Sequence, residues 1–210
     1  MKLLVASNNA KKLTELQRIL DQAGIEGVEL IALADAPAYT EPVENGRTFA
    51  DNALIKARAG AANTGLITLA DDSGLEVDAL NGMPGVLSAR WAGKHGDDQA
   101  NNDLLLAQIA DVPEERRAAA FVSVCAIVTP EGEEFVEEGR WSGTLLREPV
   151  GVNGFGYDPL FVPMEESFLE GRDRSSAQLS AEEKDAHSHR GKALRALVPA
   201  IAKLSGKSPV

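Results

Sequence analysis

Apolar residues recur along this chain with two spacings. Leu3-Leu4-Val5-Ala6 is a short unbroken run; after Ser7-Asn8-Asn9 the pattern opens to Leu13, Leu16, Ile19, Leu20 and Ala23. Short unbroken runs between turn residues read as strands, and recurrence every three or four residues reads as one face of a helix. The pattern predicts a strand over 2–6, a helix stopped at Gly24, a strand over 28–33 and a loop over 36–47 containing Pro37 and Pro42. A helix opens at Thr48 and runs to about Asn63, followed by a strand over 66–70 and an extended stretch over 75–80. Beyond the turn cluster Asn81-Gly82-Met83-Pro84-Gly85, Asp97 or Asp98 caps a helix through Ala110. Residues 118–129 and 134–145 predict a hairpin around Pro130-Glu131-Gly132. A glycine-rich loop over 151–159 and a brief strand over 160–162 come next. Ser180 with Glu183 has the form of a capping box. The last helical region reaches Leu204, with a bend expected at Pro199. Strands and helices mix without strict alternation, so a mixed sheet in an α/β fold is expected. No repeat, low-complexity tract or linker divides residues 1–210, which read as one domain.

The strand over 66–70 ends in Asp71-Asp72-Ser73-Gly74. Side chains on a strand alternate between faces, so two adjacent carboxylates share a polar site only if the chain turns, and Gly74 is expected to let it turn. A carboxylate pair at the end of a buried strand suits Mg²⁺ and a water. Read alone, the segment is equally an ordinary solvated turn.

Composition narrows the field. With 210 residues, 44% hydrophobic and 25% charged, the chain has the make-up of a globular enzyme. The net charge of −11 argues against a nucleic-acid polymer as partner, while leaving room for a small polyanion held by local cations. The lone Cys125 lies in an apolar run and reads as a core residue. The N-terminal apolar stretch is too short for a leader, and no run is long enough to span a membrane, so a cytoplasmic protein is expected.

Four further segments carry candidate chemistry. Ser7-Asn8-Asn9-Ala10-Lys11-Lys12 sits at a strand-to-helix junction, where free N–H groups and a partial positive charge attract phosphate. It is neither a P-loop nor a dinucleotide fingerprint, and its plain reading is a capped helix with two solvated lysines. Glu44, with Glu41 nearby, offers a third carboxylate to Asp71 and Asp72, although loop glutamates are commonly only solvated. In Gly154-Phe155-Gly156-Tyr157-Asp158-Pro159, glycines admit close approach and the two aromatics suit stacking on a base; the alternative is a tight connection with its rings in the core. Lys184, His189 and Arg190 suit a phosphate or a 6-oxo base edge, or simply the charged face of a helix.

Taken together, and in one order along nearly the whole chain, these segments resemble the non-canonical purine nucleoside triphosphate pyrophosphatases, the inosine triphosphate pyrophosphatase or Ham1-like family. The matching pieces are Ser7 to Lys12 with Glu15-Leu16, Thr48 to Ala53 with Lys56-Ala57, Ala70 to Leu75, Pro84-Gly85-Val86 with Ser88-Ala89-Arg90, Gly154 to Pro159, and Glu183-Lys184 with Ser188 to Gly191. The resemblance implies an elongated mixed β-sheet with flanking helices, two lobes around a central substrate cleft, Mg²⁺ and a homodimer. It implies cleavage of ITP, dITP and XTP to the monophosphate and pyrophosphate, clearing deaminated purines from the nucleotide pool. It casts Asp72 as general base and metal ligand, and Glu44 as the other metal carboxylate. Ser7, Asn8, Asn9, Ala10, Lys11, Lys12 and Ser73 would hold phosphates and sugar. Phe155, Gly156, Tyr157 and Asp158 would form a base-binding wall, and Lys184, His189 and Arg190 would recognise the triphosphate and the 6-oxo base. The chain departs from the pattern at Asn45, Asp51, Gln178 and His187, and over 165–176. Two alternatives remain at this level: a related pyrophosphatase for other modified nucleotides, and a non-catalytic nucleotide sensor.

Overall fold

The apolar runs pair into one six-stranded sheet in the computed structural model of the chain, which describes residues 1–7, 10–167, 174–180, 183–184 and 187–206. The strands are β1 (Lys2–Val5), β2 (Glu29–Ala32), β3 (Ile67–Val77), β4 (Ala118–Val128), β5 (Glu134–Leu145) and β6 (Phe161–Pro163), in the spatial order β2-β1-β3-β4-β5-β6. β1 is parallel to β2 and to β3, whereas β5 and β6 are antiparallel. The sheet is therefore mixed, as the irregular alternation of elements predicts. The helices whose bounds lie within the described residues include α1 (Ala10–Gln22), α2 (Phe49–Thr64), α3 (Asp98–Gln108), α4 (Met164–Ser167) and α5 (His189–Leu204).

Helix boundaries follow capping chemistry. Thr48 Oγ1 accepts from the Asp51 N–H at 3.1 Å, while the Asp51 carboxylate accepts from the Thr48 N–H at 3.0 Å. Asp51, a departure from the family pattern, thus completes a reciprocal cap. Gly65 ends α2 in the left-handed region at φ 67°. Asp97 caps α3, and the Ser180–Glu183 pair forms both of its predicted bonds.

Two compact units divide the chain. The first comprises 1–72, 123–139 and 190–210; the second comprises 73–122 and 140–189. In the first, Leu3, Val5, Leu69, Cys125 and Ile127 on the strands pack with Leu16, Ile19 and Leu20 of α1 and with Leu194, Leu197 and Ile201 of α5. The opposite face of β3 meets α2, where a Cβ on Gly60 would come within 2.5 Å of Thr68 Cγ2, so only glycine permits this approach. In the second unit, Leu75, Val77, Leu105, Ile109, Phe121, Trp141, Leu145 and Phe161 form a separate core.

One expectation is corrected here. The chain does not turn at Gly74: β3 continues unbroken through Asp71-Asp72-Ser73-Gly74 to Val77. The pleat therefore points Asp71 and Asp72 to opposite faces.

Candidate functional site

Strand alternation gives the two aspartates different partners within the first unit. Asp71, buried on the face covered by α1 and α5, receives Lys12 Nζ at 2.6 Å and Arg190 Nε at 3.2 Å. Burial alone would raise its pKa, but Lys12 and Arg190 hold the carboxyl well below the ordinary carboxylate range. Arg190 is the reciprocal case: burial works against its charge, and Asp71 keeps it protonated. Glu15 also favours the charged form of Arg190, so Lys12 and Arg190 are held as charged groups among acidic neighbours. Asp71 is thus committed to cations and takes no part in a shared carboxylate site with Asp72 and Glu44, contrary to the reading of the adjacent pair.

Asp72 faces α2. The Asn52 side-chain amide donates to its Oδ2 at 2.9 Å, and Lys56 Nζ lies 3.8 Å from its Oδ1. The same ammonium sits 3.1 Å from Glu44 Oε2, so Glu44 and Asp72 converge on one point although 28 positions separate them in the sequence. Asn52 joins the two segments a second way, because its Oδ1 accepts from the Gly46 N–H at 2.8 Å. A Cβ on Gly46 would come within 2.6 Å of that oxygen, which accounts for glycine in the Glu44-Asn45-Gly46 turn. No set of three or more His, Cys, Asp and Glu side chains forms a metal cage among the described residues. Glu44 and Asp72 could together hold a hard cation such as Mg²⁺, which takes one or two protein carboxylates alongside waters and phosphate oxygens.

The reading of candidate residues overlooked Asn52 and Lys56. Their signal lies in the spacing: Asn52, Lys56 and Gly60 recur every four residues along α2 and so share the face turned to β3.

In the second unit, the loop after Val150 carries the aromatic pair, and the two rings part ways. Phe155 is 65% exposed. Tyr157 is buried in the core and its hydroxyl donates to the Ser88 carbonyl at 2.8 Å, which corrects the expectation that both aromatics face a ligand. Burial also raises the Tyr157 pKa, as expected for a phenol kept neutral. Asp158, likewise buried, gathers the loop: its carboxylate accepts from the Phe155 N–H at 2.8 Å, from Ser176 Oγ at 2.8 Å and from Lys184 Nζ at 2.5 Å. Lys184 Nζ also lies 5.2 Å from the centroid of the Phe155 ring, within cation–π range. Gly156 is held from α3: its N–H donates to Asp98 at 2.7 Å, and its carbonyl accepts from Asn102 at 2.9 Å.

The remaining predicted residues are placed as follows. Ser7 follows β1, its N–H bonded to the Val5 carbonyl at 2.8 Å, and Ser73 is half-buried on β3. His189 stacks on Phe121, with centroids 5.1 Å apart and planes 15° from parallel. Ala10 opens α1. Asn8 and Asn9 lie outside the described residues, as do the side chains of Ala10 and Lys11. Two of the four boundaries between the units fall directly after Asp72 and His189, so neighbours Asp72 and Ser73, and likewise His189 and Arg190, belong to different units.

Known proteins share this arrangement of chain. A profile of the Ham1 family matches residues 3–200. A dITP/XTP pyrophosphatase of Corynebacterium efficiens is 87% identical over 207 residues, covering 99% of this chain and all of that protein. A dITP/XTP pyrophosphatase of Corynebacterium glutamicum is 70% identical over 208 residues, with 99% and 100% covered. Among solved structures, a nucleoside-triphosphatase / dITP/XTP pyrophosphatase of Mycobacterium abscessus superposes with a TM-score of 0.80 at 63% identity, over 96% of this chain and 100% of that one. The Ham1 protein of Staphylococcus aureus superposes with a TM-score of 0.84 at 36% identity, over 97% and 100%.

Proposed function

The chain belongs to the Ham1 family, and on that premise we propose that it is a Mg²⁺-dependent pyrophosphatase hydrolysing dITP, ITP and XTP to the nucleoside monophosphate and pyrophosphate. The observation that carries the reading is the convergence of Glu44 and Asp72 on Lys56 Nζ. Hard oxygen donors positioned by a neighbouring helix are what a hydrated Mg²⁺ takes up.

In this reading Glu44 and Asp72 hold Mg²⁺, which when bound neutralises phosphate charge and lowers the pKa of water. Asp72, oriented by Asn52, accepts the proton of the attacking water. The water oxygen forms a new bond to phosphorus, the bond between monophosphate and pyrophosphate breaks, and the electron pair leaves with the departing group. Lys12 and Arg190 supply positive charge to the phosphates, most of the acceleration in such reactions being positioning and charge stabilisation. Phe155 offers its exposed face to the base, and Lys184 with His189 serves the triphosphate and the 6-oxo edge. Donors placed for a 6-oxo group meet only donors on a 6-amino base, which is the source of rejection of ATP.

No helix among the described residues is long and apolar enough to cross a membrane. The same reading makes the protein a cytoplasmic homodimer with no nucleic-acid polymer as partner. A panel of triphosphates with Mg²⁺, following monophosphate and pyrophosphate release, tests it. Turnover of dITP, ITP and XTP far above ATP is expected. Comparable turnover of ATP would overturn the base assignment, and binding without pyrophosphate release would make the protein a sensor.

A further inference from the structure

Helix α3 has no part in the function proposed above, yet two of its side chains grip the aromatic loop. Asp98 and Asn102 stand one turn apart and so face the same way. Asp98 accepts the Gly156 N–H, and Asn102 donates to the Gly156 carbonyl. With Asp158 taking the Phe155 N–H, three backbone polar groups of Phe155 and Gly156 are bound by side chains. None of these bonds belongs to a helix or strand. The Phe155 ring itself remains 65% exposed. A loop held by its backbone with its ring left open is preorganised to present that ring, which lowers the ordering cost of stacking a ligand on it.

Asn102 bears this out energetically. It is 6% exposed, and its Oδ1 has no hydrogen-bond partner among the described residues. A buried acceptor left unsatisfied is unfavourable for folding, and an apolar side chain of similar size would avoid it. What the amide supplies in return is the bond to Gly156.

We infer that Asp98 and Asn102 are positioning residues for base recognition, acting through the pose of Phe155. This rests on the reading of Phe155 as the base-stacking residue. Neither side chain enters the phosphate chemistry, so their loss is felt in substrate binding and not in turnover.

The test is a set of single and double variants assayed with dITP and Mg²⁺. Asp98→Ala and Asn102→Ala are each expected to raise KM about five- to tenfold, the net loss of one ordinary hydrogen bond, with kcat little changed. Asp98→Asn keeps an acceptor and should return KM most of the way. Phe155→Ala should raise KM alone, and adding Asp98→Ala to it should change nothing further, because the clamp has no ring left to place. Asp98 is exposed at the start of α3, so its variants decide the matter even where Asn102→Ala fails to fold. An unchanged KM in Asp98→Ala beside a raised KM in Phe155→Ala overturns the inference and leaves the stacking assignment standing. So does an Asp98→Ala effect of equal size in the Phe155→Ala background. An unchanged KM in Phe155→Ala overturns the stacking assignment itself, and the inference with it.

Discussion

Asn52 and Asp72 are joined by a side-chain hydrogen bond of 2.9 Å, and the other end of the Asn52 amide holds the turn that follows Glu44. One buried amide thus fixes the orientation of the proposed base and the approach of Glu44, the other carboxylate proposed to hold the metal. Partners of this kind typically affect metal affinity or activity by about 10–100-fold. Asn52→Ala is expected to lower kcat within that range while the chain still folds. Steady-state kinetics with a thermal melt on the same preparation check it; parental kcat in a folded variant would show that the amide does not orient Asp72.

Asp72→Asn should bind substrate and fail to turn it over. The amide preserves shape and can still meet Asn52, but it cannot accept a proton from water. Nucleotide affinity measured by calorimetry should stay within about threefold of the parent, no more than the low end of one hydrogen bond's net worth, while pyrophosphate release falls to background. Hydrolysis of ITP at the parental rate in this variant removes Asp72 from the chemistry.

Lys56 stands where the two carboxylates converge, 3.1 Å from Glu44 and 3.8 Å from Asp72. Its ammonium offsets one of their two charges. Removing it in Lys56→Met leaves two carboxylates with a stronger joint attraction for a divalent cation. Tighter Mg²⁺ binding is expected, read by calorimetry without nucleotide so that activity does not enter the measurement. Unchanged or weaker Mg²⁺ binding would place the ion elsewhere.

How much of this was legible in the sequence depended on whether the controlling interaction was local. Thr48 and Asp51 lie three residues apart, and the α2 cap that they form can be read from that spacing. The Ala118 to Leu145 hairpin was equally readable, because the turn cluster Pro130-Glu131-Gly132 follows one apolar run and precedes a second strand-like segment. The course of β3 was not. Asp71-Asp72-Ser73-Gly74 has turn chemistry, but the strand runs on through it, with cations from distant segments receiving the first carboxylate. The same limit applies to Tyr157: its ring is two residues from Phe155 in the chain, and only the location of Ser88 shows that it turns inward. Asn52 and Lys56 were visible as a helical stripe, yet the importance of that stripe appears only when Asp72 is opposite it.

Arg117 is a buried guanidinium whose hydrogen bonds, among the described residues, go to backbone carbonyls. It donates to the carbonyls of Leu145, Ile109 and Leu146 at 2.8 Å each and of Val112 at 3.4 Å. Burial lowers its pKa, as does the neighbouring Arg147, while Glu114 acts in the opposite direction. They come from the end of α3 and from the end of β5, so the side chain ties both together. Lysine has a single ammonium and no planar fork. Arg117→Lys should therefore leave some of these carbonyls unmet and destabilise the fold by about 1–3 kcal/mol. Chemical denaturation checks this; a loss under about 0.5 kcal/mol, the range of ordinary surface changes, would mean that the carbonyls find other partners.

Asp71 makes stability depend on acid in a defined direction. Its carboxyl titrates near about 4 in an unfolded chain and well below that when folded, because Lys12 and Arg190 outweigh the opposing effect of burial. Between those two values the unfolded state binds a proton that the native state refuses, so stability falls as pH falls. The contribution is complete above about pH 5 and is lost progressively through the acid range, levelling only below the depressed native value. Asp71→Asn removes this dependence and strands two cations beside a neutral amide, which should cost about 3–5 kcal/mol at neutral pH. The difference in unfolding free energy between parent and variant should therefore be largest near neutrality and shrink as the solution is acidified. Denaturation curves collected from about pH 7 down to about pH 3 measure it, and a difference that stays constant or grows toward acid would show that Asp71 is not charged in the folded protein.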